Sequence, residues 1–160
     1  MIEVGEKLPD AKFVVMGEGG PAEKSTGDVF SGRKVVMFAV PGAFTPTCNN
    51  NHLPGFVTHF DEFKAKGVDT VACISVNDVF VLDAWAKSTG AAGKLEMLAD
   101  GNGEFAKAIG LDIDASPFGM GVRSNRYAML VDDGVVKVLN VEEVPTAAKD
   151  SGAEAMLAAL

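Results

Sequence analysis

The chain has 160 residues, 48% apolar and 22% charged, with a net charge of −8 at pH 7. That length suits one domain spanning residues 1–160 around a single buried core, and the apolar fraction excludes disorder. The acidic balance argues against nucleic acid and anionic membranes, both of which need clustered Lys and Arg, and two cysteines are too few for a disulfide framework.

Residues 1–32 carry Gly5, Pro9, Gly17, Gly19, Gly20 and Pro21, and read as turns with a short strand around Phe13–Met16. Gly27–Phe30 reads as a single helical turn. Val35–Val40 is an apolar run of buried-strand length. Beyond it Leu53, Phe56, Val57, Phe60 and Phe63 have the spacing of one helix face, entered at Cys48 and ended by Gly67. Pro54 and Gly55 predict a kink near its start, or a first turn split off from the rest. Thr70–Val76 is a second strand, followed by the capping pair Asn77-Asp78 and a helix with Val79, Leu82, Trp85 and Ala86 on one face, stopping near Gly90. Lys94–Leu98 predicts a third strand, and Asp100–Gly103 a turn that caps a helix containing Phe105, Ala108 and Ile109. Tyr127–Val131 and Val135–Val141 flank Asp132-Asp133-Gly134, a hairpin signal. Ala153–Leu160 closes the chain with a short helix. The order β-α-β-α-β-α-β-β-α predicts an α/β three-layer domain, a mixed sheet flanked by helices. The apolar runs are too short to span a bilayer, and MIEVGEKLPD lacks the basic region and apolar core of a secretory signal. Free thiols and the acidic balance suit a cytoplasmic protein.

The chemistry concentrates at the turn between the first buried strand and the long helix. Pro41, Thr45 and Cys48 form a P-x-x-x-T-x-x-C pattern. Pro41 fixes φ, removes an N–H and ends the strand. Thr45 offers a hydroxyl to the sulfur or to a substrate oxygen. Cys48 falls in the helix's first turn, where unpaired N–H groups and the helix dipole favour an anion, and the thiolate is the nucleophilic form of cysteine. A nucleophile at that turn lies at the sheet's carboxyl edge, where open α/β sheets place their sites. A lone cysteine is otherwise a small buried hydrophobe, and both readings stand here.

Other patterns are poorer. Cys48 and His52 share a helix face at i and i+4, but His59 is the only other imidazole and Asn49-Asn50-Asn51 are weak zinc ligands, so no metal is expected and His52 reads as a structural hydrogen-bonding residue. Asn51 takes the place of a second cysteine in C-x-x-C, which disfavours a dithiol reductase. Gly101-Asn102-Gly103 is a turn and not a phosphate loop. Phe44, Phe80, Trp85 and Phe118 read as core or subunit-contact residues.

Val40–Phe56, VPGAFTPTCNNNHLPGF, resembles the active-site segment of peroxiredoxins of the type II, or peroxiredoxin-five-like, branch. The resemblance continues through Ala72–Asp78 and Arg123–Asn140 and covers essentially the whole chain. It implies a thioredoxin-like fold without a cofactor that reduces hydrogen peroxide and alkyl hydroperoxides through a Cys48 sulfenic acid, often as a homodimer. Thr45 carries over as hydroxyl donor, Pro41 as shield over the thiolate, Arg126 as the essential arginine and Arg123 as a second arginine of this branch. From its position alone, Arg126 would be a surface ion-pair partner of Asp132 or Asp133. Cys73 matches a cysteine proposed as resolving partner in some relatives. It also reads as a buried core thiol mid-strand, in which case glutathione with glutaredoxin, or thioredoxin, regenerates Cys48. A glutathione-dependent thiol transferase and a redox-sensing or chaperone-like interaction protein are the competing functions.

Overall fold

The computed structural model describes residues 1–160. Its centre is a seven-stranded mixed sheet in the order β2-β1-β5-β4-β3-β8-β9. The two middle strands are β3 (Lys34–Val40) and β4 (Thr70–Ser75), which pair in parallel with Phe38 opposite Cys73. Both are covered on each face, which is why they read as continuous apolar runs. Alternate residues then enter different layers: Val36, Phe38, Val71 and Cys73 one way, Val35, Met37, Ala72 and Ile74 the other. Outside β4 lies β5 (Glu96–Ala99), parallel to it, and then β1 (Lys12–Gly17) with β2 (Gly20–Ser25). Outside β3 lies the hairpin β8 (Tyr127–Asp132) and β9 (Val135–Val141), turning at Asp132-Asp133-Gly134 as expected. A separate small ladder joins β6 (Asp112–Asp114) to β7 (Val122–Ser124).

The thinner helical layer is α1 (Thr26–Phe30) and α5 (Glu104–Ala108), which bury Val29, Phe30 and Phe105 against Phe13 and the sheet. The Asp100 carboxylate accepts from the Phe105 and Ala106 amides and starts α5 as predicted. The thicker layer holds α2 (Leu53–Thr58), α3 (Phe60–Ala65), α4 (Val79–Thr89) and α6 (Ala153–Ala158). Helix α4 begins on the Asp78 side chain, which accepts from Val81 N, and ends at Gly90 in the left-handed region at φ 74°. Its Leu82 and Trp85 are fully buried.

Two expectations are corrected. Strand β2 lies where turns were read, because GPAEKS is a solvent-exposed edge strand whose pairing depends on β1 and not on its own apolar pattern. Strand β5 begins at Glu96 instead of Lys94, since the amides of Lys94 and Leu95 turn back onto Ala91 O. Strands β6 and β7 carry too few residues to show a period. No helix is long and apolar enough to cross a membrane.

Candidate active site

Strand β3 delivers the chain to Pro41, and the turn that follows is held by Asn77 at the end of β4. The Asn77 carboxamide oxygen accepts from Ala43 N at 3.0 Å and lies 2.6 Å from the Ser75 hydroxyl. The turn packs tightly at Gly42, where a Cβ would stand 3.1 Å from Met120 Cε and 3.2 Å from Thr45 Cγ2. Phe44 takes a left-handed φ of 65°, uncommon for a bulky residue, and its ring is half exposed.

Cys48 then opens a wide turn, Cys48–His52, in which Leu53 N donates to Cys48 O five residues back. This is the split first turn expected at Pro54. Proline has no N–H to return into a regular helix, and one extra residue in the turn absorbs the mismatch. The helix breaks again at His59, which no sequence signal marked. Stacked rings anchor the turn to the sheet: Phe38 on Phe56 at 4.1 Å between centroids, Phe56 on Phe63 at 5.5 Å, and His52 tilted against Phe38 at 4.9 Å.

Cys48 is fully buried and unpaired, and two donors meet its sulfur. Thr45 Oγ1 lies 2.9 Å from Sγ, and Arg126 Nη2 lies 2.9 Å from it. Thr45 Oγ1 is also 2.6 Å from Gly42 O. A hydroxyl has a single proton for these two neighbours. It donates to the sulfur when that is a thiolate, and turns to Gly42 O when a thiol proton points back at it.

Arg126 is only 2% exposed, so the surface ion pair with Asp132 or Asp133 does not form. It stands at the mouth of β8, and each arm of its guanidinium has its own acceptor. Nε donates to Pro145 O at 2.7 Å, Nη1 to His52 Nδ1 at 2.9 Å and Nη2 to Cys48 Sγ. Lysine could not reproduce that three-way fixation. His52 Nε2 lies 2.8 Å from Ser151 O. A carbonyl only accepts and a guanidinium only donates, so His52 is neutral with its proton on Nε2. Burial, opposed by the Ser151 carbonyl and aided by the Arg126 charge, lowers its pKa to about 4. The structural role read for His52 therefore holds, and the acceptor it offers Arg126 is an addition. The segment after β9, which supplies the Pro145 and Ser151 carbonyls, carried no sequence signal. Backbone acceptors are chosen by tertiary position and leave no trace in residue type.

The remaining candidates lie further out. Pro41 is half-buried beside the turn. Arg123 is drawn away from the sulfur: its Nε donates to Met120 O at 2.9 Å and its Nη1 to Val76 O at 3.1 Å, bracing the rim of the site. Cys73 sits mid-strand, fully buried and free, in the same apolar layer as Cys48. Burial, reinforced by the Cys48 charge, pushes its thiol well up, so it stays protonated.

Comparison with known proteins gives the chain's family. The redoxin family profile matches residues 3–157. The chain is 50% identical over 169 aligned positions to the chloroplastic peroxiredoxin-2E of Arabidopsis thaliana, covering 99% of this chain and 69% of that one. It is 47% identical to peroxiredoxin-2C of Oryza sativa subsp. japonica, covering 99% and 98%. Among solved structures, reduced Prx3 of Vibrio vulnificus in complex with hydrogen peroxide superposes with a TM-score of 0.95 at 49% identity, covering 99% of each chain. Peroxiredoxin 5 of Alvinella pompejana gives 0.87 at 39%, covering 99% and 97%. The family profile, the identities over nearly the whole chain and the close superposition on solved peroxiredoxins agree with one another, and the chain belongs to the redoxin family as a type II peroxiredoxin, a thiol-dependent peroxidase.

Proposed function

We propose that Cys48 is the peroxidatic nucleophile of this enzyme, with Thr45, Arg126 and Pro41 as its catalytic neighbours and hydrogen peroxide and alkyl hydroperoxides as its substrates. The observation that carries the reading is the meeting of Thr45 Oγ1 and Arg126 Nη2 on Cys48 Sγ, each at 2.9 Å. The hydrogen peroxide complex of the Vibrio vulnificus relative supports the substrate class. The thiolate attacks the terminal oxygen of ROOH, an S–O bond forms and the O–O bond breaks. Sulfur is oxidised to the sulfenic acid, the peroxide is reduced, and the departing RO⁻ takes a proton to become ROH. Arg126 stabilises the charge growing on the leaving oxygen, and the Thr45 hydroxyl, which donates to the thiolate, shifts its proton from the sulfur to the peroxide oxygens as the S–O bond forms. Pro41 keeps water from the thiolate. Arg123 holds the rim through its two carbonyl bonds.

An external thiol closes the cycle: glutathione with glutaredoxin, or thioredoxin. Glutathione condenses with the sulfenic acid to a mixed disulfide and water, and a second thiol then releases Cys48 and leaves as the other half of a disulfide. The burial of Cys73 mid-strand and the lack of any cysteine from Ile74 to Leu160 support this one-cysteine route over a resolving role for Cys73. Both cysteines are free, which suits a cytoplasmic location. Exposed Phe44, Phe80 and Phe118 suit a homodimer.

Stopped-flow reaction of the reduced protein with peroxide tests the assignment. Cys48→Ser should abolish turnover in a folded protein, and Arg126→Lys should slow it roughly 100-fold through loss of the planar fork. A serine variant that still turns over peroxide would refute the reading. Cys73→Ser should keep turnover with glutathione and glutaredoxin and show a glutathione adduct on Cys48. A rapid Cys48–Cys73 bridge in the parent, with turnover lost in this variant, would overturn the one-cysteine cycle.

A further inference from the structure

Glu142 is a buried residue, 4% exposed, and its carboxylate forms no salt bridge. Its negative charge is met by dipoles alone. Oε1 accepts from Lys149 N at 3.2 Å and Asp150 N at 3.1 Å, and Oε2 accepts from Ser151 N and Ser151 Oγ, both at 2.8 Å. Burial pushes the carboxyl up, but these donors outweigh it and hold the group below the usual range. A buried ion is a costly way to close a surface turn, and an exposed Asp or Ser would cap the same amides.

What the clamp sets is the direction of the Ser151 carbonyl, which accepts from His52 Nε2. That bond fixes the His52 proton, and the opposite nitrogen thereby becomes the acceptor for Arg126 Nη1. The Glu142 charge acts in the same sense, making the ring more basic and Nδ1 a better acceptor. Glu142 N also donates to Arg126 O at 3.0 Å, so one residue holds the arginine's backbone and, through two partners, its head.

We propose that Glu142 is a positioning residue for the Cys48–Arg126 pair, acting through the Ser151 carbonyl and the Nε2–H form of His52. The inference rests on the catalytic roles given above to Cys48 and Arg126. It assigns the segment Glu142–Gly152 to the active site as its outer wall.

The test uses the full chain, hydrogen peroxide and ring-nitrogen NMR of His52. Glu142→Gln keeps the shape, loses the charge and turns an NH2 group towards amide donors. The second-order rate with peroxide should fall roughly 10- to 100-fold, and His52 should lose its single Nε2–H form. Combining Glu142→Gln with His52→Gln should cost no more than about twofold beyond His52→Gln alone, because both act along one path. If the glutamine variant does not fold, Glu142→Asp takes its place, with a several-fold loss and the same non-additivity expected. A folded Glu142 variant with parental rate and an unchanged His52 signal would overturn the inference. So would losses that multiply in the double variant. If Cys48→Ser is inactive while Glu142→Gln reacts at full rate, this inference alone fails; an active Cys48→Ser protein removes the reading beneath it.

Discussion

His52 shows how one residue's protonation ties stability to the site. In the folded chain its pKa is lowered to about 4, mainly by burial, against 6.5 for the free group. The unfolded chain therefore binds a proton in this window that the folded chain refuses, and stability rises with pH through it. The contribution is fully present above about pH 6.5 and is lost as the pH falls towards 4. The gap corresponds to about 3 kcal/mol at most. Urea unfolding of the parent should lose stability steeply over that range, whereas His52→Gln, with nothing to titrate there, should lose much less. Equal slopes for the two proteins would mean that His52 is not held neutral.

At the scale of elements, the wide Cys48–His52 turn is where the reaction cycle meets the fold. The Cys48 sulfur has no solvent contact, so a bulky thiol reductant can reach it only after this turn opens. Among the bonds that hold the turn, Trp85 Nε1 donates to Asn49 Oδ1 at 3.0 Å and joins α4 to it. Trp85 is the only tryptophan, so the chain's indole emission comes from the surroundings of that bond. Forming the glutathione adduct should shift the emission as Asn49 leaves. Asn49→Ala should strand a buried indole N–H, cost about 1–3 kcal/mol and remove the shift. Emission that stays constant through the cycle would show that the reductant enters by another route.

For the whole molecule, the proposed homodimer has to overcome charge. Each copy carries −8, so association is opposed at long range and should tighten as salt screens the repulsion. In that proposal the attraction would come from Phe80 and Phe118, 63% and 82% exposed in the single chain. Burying one such ring contributes about 1.5–3 kcal/mol. Phe80→Asp with Phe118→Asp should sediment as a monomer at concentrations where the parent is a dimer, with the Cys48 environment intact. A pair of aspartates that leaves the sedimentation unchanged would move the interface to another face.

The sequence by itself was enough for the layered α/β architecture, the two central strands, the caps at Asp78 and Gly90, the hairpin at Asp133-Gly134 and the motif Pro41–Thr45–Cys48. Each of these is encoded in neighbouring residues, by apolar period, by a capping side chain or by a turn dipeptide. Arg126 was named through resemblance, while its position alone read as a surface ion pair. Only the tertiary structure decided that it is buried, because its three acceptors lie on Cys48, His52 and Pro145, far from it along the chain. The exposed strand β2 and the Glu142–Ser151 clamp were silent for the same reason. Edge pairing and backbone carbonyls work through where the chain returns in space, and residue type records that only weakly.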